Sequence, residues 1–330
     1  MIAIVAGATR GAGRGIARML GERGATVYCT GRSTRERPAT PGRPETIEET
    51  AELVTAAGGR GIPIRVDHTQ AEEIDALFDR VEREAGAIDV VVNDLWGGDA
   101  KVRFGAPFWE QDPSELLSIL EPSVFGHFLT SRRAARTLIS QRRGLIIEIT
   151  DGDFQGYRLH FGYDLAKAAA IRMAYAMAIE LQEHNVTALA VTPGFLRSES
   201  MLEHFGVTEA NWRDGVKVDP HFIESETPCF VGRAVAALAS DPKVHQKSGR
   251  VFGSWTLARE YGFTDIDGRK PDWGAYFDRV IAEIIARGGP RDDSEMFLLR
   301  ARYYQIHGEH ERRAQVEALR HALQGKVLKF

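Results

Sequence analysis

Short apolar stretches of strand length recur along the first two thirds of the chain, and longer segments with helical periodicity separate them. The short stretches are rich in β-branched residues, which is typical of buried strands. Strands are predicted over residues 2–6, 26–30, 62–66, 88–93, 145–150 and 186–192. Helices are predicted between them, over residues 16–23, 46–57, 71–85 and 166–183.

This alternation of strand and helix determines the expected class of fold. Repeated strand-helix-strand units form right-handed crossovers and build a parallel sheet that helices cover on both faces. The sequence therefore predicts an α/β protein of three layers, with a Rossmann-type doubly wound sheet. Ligands of such sheets bind beyond the carboxyl ends of the strands, so chemistry is expected in the residues that follow each strand.

The strand rhythm ends near Trp273, and the remaining chain is helical and charged. Residues 288–290 form a Gly-Gly-Pro linker, and Gly308 separates two helical stretches, residues 295–307 and 309–323. We therefore predict a main domain over residues 1–272 and a C-terminal helical extension over residues 273–330. A lone helical hairpin cannot bury its own apolar face, so the extension is expected to pack on the main domain or on a neighbouring subunit.

Composition removes several classes of partner. The 330 residues carry a formal net charge of −4, so the chain has no general attraction for nucleic acid or an acidic membrane. No stretch is apolar for long enough to span a bilayer, and the opening strand lacks the basic flank of a signal peptide. The two cysteines, Cys29 and Cys229, have no second ligand at metal-binding spacing and are expected to be small buried hydrophobes. We expect a cytoplasmic protein that binds no metal.

A glycine-rich turn follows the first strand and opens the first helix. Its sequence is Gly-Ala-Thr-Arg-Gly-Ala-Gly, with glycines at positions 7, 11 and 13. Glycines allow a sharp turn and bring backbone amides close to a pyrophosphate at a helix N-terminus, where the helix dipole favours negative charge. The spacing differs from Gly-x-Gly-x-x-Gly, so the turn alone indicates a dinucleotide only weakly.

Four later motifs, which follow the turn in order along the chain, strengthen the indication of a dinucleotide site. They are Asp67, Asn-Asp-Leu-Trp-Gly-Gly at residues 93–98, Tyr-Asp-Leu-Ala-Lys at residues 163–167, and Pro-Gly at residues 193–194. Together they resemble the short-chain dehydrogenase/reductase family over roughly residues 1 to 265. Phe-Trp-Glu at residues 108–110 and Leu-Ala-Arg-Glu-Tyr-Gly at residues 257–262 are similar to one subgroup, called dehydrogenase/reductase SDR family member 1.

The resemblance implies an oxidoreductase with a nicotinamide cofactor, bound by the domain of residues 1–272. It places the three glycines at the pyrophosphate, Asp67 at the adenine and Asn93 near the adenosine ribose. The full set of implied cofactor contacts is Gly7, Thr9, Arg10, Gly11, Gly13, Arg32, Ser33, Asp67, His68, Asn93, Tyr163, Lys167, Pro193, Leu196 and Ser198. Because sister enzymes associate through the helix that carries Tyr163 and the helix before strand five, a homodimer or homotetramer is expected.

The residues after the second strand bear on the choice between NAD and NADP. An acidic residue there would accept hydrogen bonds from the ribose and repel a 2′-phosphate, whereas arginine pairs with that phosphate. The strand ends in Cys-Thr-Gly-Arg-Ser-Thr at residues 29–34 without an acid, and Arg10 lies inside the glycine turn. Arg10 and Arg32 therefore predict NADP(H).

Tyr163 and Lys167 lie four residues apart at the start of a helical segment, so their side chains share one face. A tyrosine hydroxyl has an ordinary pKa of about 10, which a neighbouring ammonium lowers by favouring the phenolate. Tyr163 is therefore the expected general acid and base, and by resemblance Lys167 also binds the nicotinamide ribose. The substrate is expected to be a small molecule with a carbonyl or alcohol group.

Two residues are candidates for donating a hydrogen bond to the substrate oxygen. In the family the donor is a serine after strand five, where the chain reads Ile-Thr-Asp-Gly-Asp at residues 149–153. Counting back from Tyr163 favours Thr150, and matching the strand end favours Asp151. Thr150 would keep a hydroxyl donor, whereas an ionised Asp151 only accepts, raises the pKa of Tyr163, and would suit a cationic iminium substrate.

A second departure from the family lies in the helix before strand five. The asparagine that holds a relay water in the family aligns with Ser123, beside Pro122, which is expected to kink or break the helix. The substrate pocket is expected to have a lid over residues 195–227. Its expected lining residues are Trp96, Phe154, Tyr157, Phe195 and Met201, with Phe205, Trp212 and His160 nearby.

Three functions follow from these residues. The first is an NADP(H)-dependent oxidoreductase that transfers hydride between nicotinamide and a carbonyl or alcohol. The second is a different reaction on the same fold, imine reduction or dehydration. The third is an NADP-binding sensor or scaffold with little turnover, which the altered serine and asparagine positions allow.

Overall fold

The computed structural model describes residues 1–98, 101–154 and 156–303. Within these residues, parallel strands form one seven-stranded sheet in the order β3-β2-β1-β4-β5-β6-β7. The strands are β1 (Ile2–Ala6), β2 (Thr26–Gly31), β3 (Arg60–Arg65), β4 (Val90–Asn93), β5 (Gly144–Ile149), β6 (Val186–Thr192) and β7 (Val251–Gly253). The order changes direction between β1 and β4, which is the switch point of a doubly wound sheet. The predicted fold class is confirmed.

Helices connect the strands and cover the sheet. They are α1 (Gly11–Glu22), α2 (Ile47–Ala56), α3 (Ala71–Ala85), α4 (Pro113–Leu120), α5 (His127–Gln141), α6 (Phe161–Leu181), α7 (Glu199–His204), α8 (Pro228–Ser240), α9 (Ser254–Tyr261) and α10 (Trp273–Ala286), followed by α11, described over residues 293–303. Among the described residues, no helix combines the length and the hydropathy that a membrane crossing requires.

Alternate residues of β1 belong to two separate apolar layers, one on each face of the sheet. Ala3 and Val5 pack with residues of α1, α2 and α8, whereas Ile4 packs with residues of α3 and α5. This alternation follows from the pleat of a strand, in which successive side chains point to opposite faces. Every residue of β4 and β6 is buried, which explains their continuous apolar sequences.

The helix before β5 is widened rather than broken at Pro122. A π-helical turn, Glu121–Gly126, joins α4 to α5 without a loop. Proline removes one amide donor and its ring clashes with the preceding turn, and a π-turn accommodates both effects. The expected kink at this proline is thus a single wide turn, and it brings Pro122 to the edge of the cavity described below.

The C-terminal helices that the sequence predicts are present as far as the structure describes them. Residues of α10 and α11 share a small apolar cluster in which Ile281, Ile284 and Leu298 are buried. Helix α11 begins at residue 293, two residues before its predicted start. The predicted helix over residues 309–323 lies outside the described residues.

Candidate active site

A cavity of about 1590 Å³ opens at the carboxyl ends of the strands. It extends from the glycine turn after β1, past the ends of β2 to β6, to side chains of α10 and α11. This volume exceeds the roughly 300–1,000 Å³ of a pocket for a drug-sized ligand, so a dinucleotide and a substrate can share it. Most of the site residues predicted from sequence line it, and the exceptions are Gly13, Asn93 and Tyr157.

The glycine turn is shaped by contacts that no side chain would permit. Gly7 and Gly11 have φ of +89° and +57°, and a Cβ on Gly7 would lie 2.1 Å from the carbonyl oxygen of Asp94. A Cβ on Gly13 would lie 2.3 Å from the carbonyl oxygen of Gly7. The Gly13 amide donates to Asp94 Oδ2 at 2.5 Å, so Asp94 caps α1 from the end of β4.

Glu199, on the lid helix α7, reaches the same helix N-terminus. Its Oε2 accepts a hydrogen bond from the Gly11 amide at 2.7 Å, and its Oε1 lies 3.7 Å from Arg14 Nη1. A Cβ on Gly11 would meet only Ser198, at 3.9 Å, so it is the positive φ rather than crowding that favours glycine here. The first turn of α1 therefore already binds two carboxylates, those of Asp94 and Glu199, as its dipole favours.

Two arginines lie at the edge of the cavity where β2 ends. Arg32 and Ser33 line the cavity directly after this strand, and Arg10 approaches from the glycine turn. One nitrogen of Arg10, Nη2, donates to Thr40 Oγ1 at 3.0 Å. The other, Nη1, is buried, lies 3.8 Å from Glu45 Oε2, and has no hydrogen-bond partner among the described residues. A buried guanidinium with an unused donor can bind a further anion.

Asp67 and His68 follow β3 on the same side of the cavity. Burial raises the pKa of Asp67, but hydrogen bonds from Thr69 and the charge of Arg32 outweigh it and hold this pKa below its usual range. The His68 ring lies 2.8 Å from both Thr30 Oγ1 and Thr130 Oγ1. Burial lowers the pKa of His68 to about 3, so the imidazole is neutral and packs in the interior.

Asn93 faces the protein interior rather than the cavity. Its Nδ2 donates to Ser131 Oγ at 2.8 Å and to Glu148 Oε1 at 2.9 Å. Glu148 Oε2 in turn lies 2.5 Å from His127 Nδ1 in a fully buried pair. The Asn93 side chain therefore links β4, β5 and α5 behind the site, and the cavity is lined by the next residues, Asp94 to Gly97.

Helix α6 brings Tyr163 and Lys167 to the cavity from one face. His160 caps this helix, because its Nδ1 accepts from the Tyr163 amide at 3.1 Å. Burial lowers the pKa of His160, which keeps the ring neutral and able to accept. The Lys167 ammonium lies 4.6 Å from the centre of the Trp96 ring and 5.6 Å from that of Tyr163. Both cation-to-ring distances are favourable for a charged ammonium.

The structure separates the two residues that compete for the serine position. Thr150 is buried, and its hydroxyl donates to the backbone carbonyl of Lys167 at 2.8 Å. The Tyr163 hydroxyl donates to Asp151 Oδ2 at 2.8 Å. Both residues line the cavity, but the carboxyl group of Asp151 is the one in contact with the tyrosine hydroxyl.

Arg158 holds the loop that carries Asp151. Its buried guanidinium donates to the carbonyl oxygens of Asp151 at 2.6 Å and Phe154 at 2.7 Å, and pairs with Asp164 on α6 at 3.1 Å. These bonds connect the end of β5 to the helix of Tyr163. Arg158 therefore fixes the backbone of Asp151 relative to α6.

The first 206 residues of the chain match the model of a family described as short chain dehydrogenase. The chain belongs to this family. It is 36% identical over 273 residues to dehydrogenase/reductase SDR family member 1 of Mus musculus, covering 81% of this chain and 84% of the relative. The relative of the same name from Homo sapiens is 34% identical over 272 residues, with the same coverage of 81% and 84%.

A solved structure of a short chain dehydrogenase has the same fold as this chain. A short chain dehydrogenase from Mycobacterium thermoresistibile superposes with a TM-score of 0.68 at 20% identity, covering 83% of this chain and 91% of that chain. As a member of the family, the chain is an oxidoreductase that uses a nicotinamide cofactor. The resemblance seen in its sequence motifs is confirmed.

The loop after β6 carries the Pro-Gly motif of this short-chain dehydrogenase. Pro193, Leu196 and Ser198 line the cavity, and Ser198 caps α7 by accepting from the Met201 amide at 3.2 Å. Glu226 lies behind this loop, fully buried. Its Oε2 accepts from the Gly194 amide at 2.9 Å and from Ser254 Oγ at 2.6 Å, while its Oε1 is buried without a hydrogen-bond partner among the described residues.

Glu226 makes stability depend on pH. Burial raises its pKa from 4.5 to about 8, against the opposing effect of the Ser254 and Gly194 hydrogen bonds. Because the folded state holds this proton and the unfolded state releases it, the contribution to stability is full below pH 4.5 and is lost as the pH rises towards 8. Glu226→Gln should therefore raise the melting temperature at pH 8 by several degrees and leave it unchanged at pH 4.5.

Melting curves of the wild type and Glu226→Gln between pH 4.5 and 9 test this. Exposed Glu72→Gln serves as the control and should leave the difference between pH 4.5 and 8 as it is in the wild type. Parallel curves for the wild type and Glu226→Gln would refute the assignment.

The substrate side of the cavity is aromatic. Four of the five predicted lining residues do line the cavity: Trp96, Phe154, Phe195 and Met201. The fifth, Tyr157, does not. The segment predicted to form a lid, residues 195–227, contains α7 and two short 3-10 turns, Trp212–Lys217 and Pro220–Glu224. Phe205 and Trp212 pack against Phe222 inside this lid rather than in the cavity. Trp212 is buried there, and Phe205 is partly buried.

Sequence reasoning missed several residues of the site. Glu199 acts through a partner 188 positions away. The partners of Arg158 lie only two to seven positions away, but no local motif marks either residue. Phe104, which lies in a loop, places its ring 5.8 Å from that of Tyr163. Asp94 stands where the family's usual Asn-Asn-Ala-Gly motif has its second asparagine, so the sequence shows a departure there but not that Asp94 caps α1.

Proposed function

We propose that this short-chain dehydrogenase is an NADP(H)-dependent oxidoreductase acting on a carbonyl or alcohol, with Tyr163 as its general acid and base. The observation that carries the proposal is the meeting of Tyr163, Lys167 and Asp151 in the cavity that the glycine turn also lines. When bound, NADPH supplies a hydride to the carbonyl carbon, and NADP⁺ accepts it in the reverse direction.

The residues present fit this cofactor. A Cβ on Gly7 would disrupt the turn, and Gly11 has a positive φ that favours glycine. Arg10 Nη1 is a buried donor without a hydrogen-bond partner among the described residues, at the end where a 2′-phosphate would lie, and is 3.8 Å from Glu45 Oε2. Arg32 provides a second cation that lines the same cavity, and no acid follows β2 before Glu36. Gly7, Gly11, Arg10, Arg32 and Ser33 would hold the phosphates, and Asp67 the adenine.

The protein's own part in the reaction is the movement of one proton. In reduction, the Tyr163 hydroxyl gives its proton to the substrate oxygen, and the nearby Lys167 ammonium stabilises the phenolate that results. Asp151, at 2.8 Å from Tyr163 Oη, is placed to donate to the same substrate oxygen when it is protonated. Trp96 beside both residues excludes water from one side.

Imine reduction is the second candidate, and the Asp151 carboxyl group is the observation that favours it. An ionised carboxylate beside Tyr163 attracts an iminium and disfavours a phenolate. In this reaction Asp151 pairs with the substrate cation, and hydride reaches the iminium carbon. Dehydration and a scaffold role with little turnover draw no comparable support from the contacts of the site.

A direct comparison of cofactors tests the proposal. Initial rates with NADPH and NADH over a panel of aldehydes, ketones and cyclic imines should show turnover with NADPH at least about tenfold more efficient, because arginine pairs strongly with the 2′-phosphate. Arg32→Ala should reduce this preference. Equal or better turnover with NADH would contradict the cofactor, and turnover of no compound with either would contradict the reaction.

Glu199 should oppose cofactor binding, because its carboxylate binds the Gly11 amide where the pyrophosphate is proposed to lie. Glu199→Gln is expected to lower the Kd for NADPH about fivefold, since a charged hydrogen bond and a like charge are both removed. Titration of NADPH by its fluorescence measures this. Glu209→Gln is the control, because Glu209 lies on the same lid but pairs with Arg197 and does not line the cavity. Unchanged or weaker binding by Glu199→Gln would contradict the competition.

A homodimer or homotetramer is also proposed. In support, the outer faces of α5 and α6 expose large apolar side chains, namely Phe128, Leu165, Tyr175 and Ile179. Each is between 39% and 49% exposed in the single chain. Apolar side chains on two adjacent helices are typical of a subunit interface.

A further inference from the structure

Four aromatic rings follow one another along the wall of the cavity. Trp96 lies edge-on to Tyr163 with ring centres 5.4 Å apart, Phe104 lies 5.8 Å from Tyr163, and Phe297 lies 5.7 Å from Phe104. All four line the cavity, and each neighbouring pair is close to perpendicular, at 76° to 86°. The row thus leads from the proposed proton donor to α11.

Helix α11 is held firmly enough to present Phe297 at a defined place. Leu298 is buried against Ile281 and Ile284 of α10, and Ser294 Oγ donates to Asp219 Oδ1 at 3.3 Å. Arg302 pairs with Asp278 on α10, and its guanidinium lies 4.6 Å from the centre of the Phe277 ring. This segment lies beyond residues 1–206, which the family model matches.

The exposed area of this wall is apolar. Phe104 and Phe297 remain 54% and 40% exposed although their rings touch each other. Exposed rings that line a cavity are available to a ligand, and aromatic rings pair edge-to-face with a gain beyond their burial. Arg302, which lines the cavity five residues further along α11, is paired with Asp278, whereas Asp293 lines the cavity at the start of α11 and has no ion pair among the described residues.

We propose that Phe104 and Phe297 are specificity-determining residues that select a ring-bearing substrate. The inference rests on the proposed function, because it names the substrate class of that site as an aryl ketone or aryl carbinol. Its carbonyl or hydroxyl oxygen lies at Tyr163, and its ring system lies along Phe104 and Phe297. The C-terminal extension thereby contributes to recognition.

Equilibrium binding separates this role from general apolar packing. The probes are 2-acetylnaphthalene and 2-decanone, two neutral ketones of which only the first has rings, each titrated calorimetrically with and without NADP⁺. Phe297→Ala should weaken the binding of 2-acetylnaphthalene about tenfold, and Phe297→Leu, which keeps the bulk, about threefold. Phe297→Leu should change the binding of 2-decanone less than about twofold.

Met296→Ala is the matched control, since Met296 is the exposed neighbour on α11 and does not line the cavity. The proposal is overturned if Phe297→Ala binds 2-acetylnaphthalene as Met296→Ala does, if Phe297→Leu weakens both ketones equally, or if the wild type binds neither ketone. If binding depends on Phe297 but no carbonyl is turned over, the proposed role of Phe104 and Phe297 stands and the proposed function is refuted. If a carbonyl is turned over but binding does not depend on Phe297, the proposed function stands and the proposed role of Phe104 and Phe297 is refuted.

Discussion

Tyr163→Phe is expected to lower kcat for carbonyl reduction about 1,000-fold, within the roughly 10²- to 10⁴-fold that a positioned general acid contributes. The variant keeps the ring contacts with Trp96 and Phe104 and removes only the hydroxyl that donates to Asp151. The Kd for NADPH should change less than about twofold, because the hydroxyl of Tyr163 acts on the substrate oxygen. Single-turnover rates and NADPH titrations measure the two effects.

Tyr175→Phe is the control for this change. Tyr175 lies on the same helix, is 45% exposed, and faces Arg172 rather than the cavity. Both its kcat and its Kd should equal those of the wild type. Substantial carbonyl reduction by Tyr163→Phe would mean that another group supplies the proton.

Asp151→Ala is the second change with a large expected effect. For a protonated Asp151 that donates to the substrate oxygen, this change should lower kcat for carbonyl reduction about 100-fold, since removal of one preorganised donor to a developing oxyanion costs about 10²- to 10³-fold. Asp151→Asn should stay within about tenfold of the wild type, because its amide still donates to the substrate oxygen. Thr150→Ala should change kcat only about twofold and lower stability by about 1 kcal/mol, because its hydroxyl bonds to the Lys167 carbonyl.

The same variants distinguish carbonyl from imine reduction. If the substrate is an iminium, Asp151→Asn loses the attracting charge and its kcat/KM falls as far as that of Asp151→Ala. Steady-state rates over matched ketones and cyclic imines measure this, with thermal melts to show that each variant is folded. A large loss of activity in Thr150→Ala, with Asp151→Ala unaffected, would assign the donor to Thr150.

Much of the fold could be predicted because buried parallel strands have continuous apolar sequences. β1 and β6 begin and end at the predicted residues. Their side chains are almost all buried, so the apolar stretch in the sequence has the same length as the strand. β7 has three residues, Val251–Gly253, too few for a periodic pattern. The division at residue 272 stays a prediction.

The site could be predicted as a set of strand ends, which topology brings to one edge of the sheet. That rule gives positions but not side-chain directions. Asn93 ends β4 yet turns inward to Glu148, and Ser123 donates to the carbonyl of Ile119 at 2.5 Å within the π-turn. Each satisfies a buried polar partner that only the folded chain brings near.

Residues that act through distant partners could not be predicted. Glu199 is 188 positions from Gly11, and Phe297 meets Phe104 only because α11 returns over the cavity. Neither contact leaves a periodic or local signal. The alternatives Thr150 and Asp151 are adjacent in sequence, and only the orientation of their side chains distinguishes them.

Transfer of deuterium from NADPH labelled at C4 of the nicotinamide tests the central claim most directly. The enzyme is incubated with labelled NADPH and an aryl ketone, and the product is analysed by mass spectrometry and NMR. The account predicts one deuterium on the carbinol carbon with the wild type and almost none with Tyr163→Phe. Cofactor binding without deuterium in any carbonyl or imine product would contradict it.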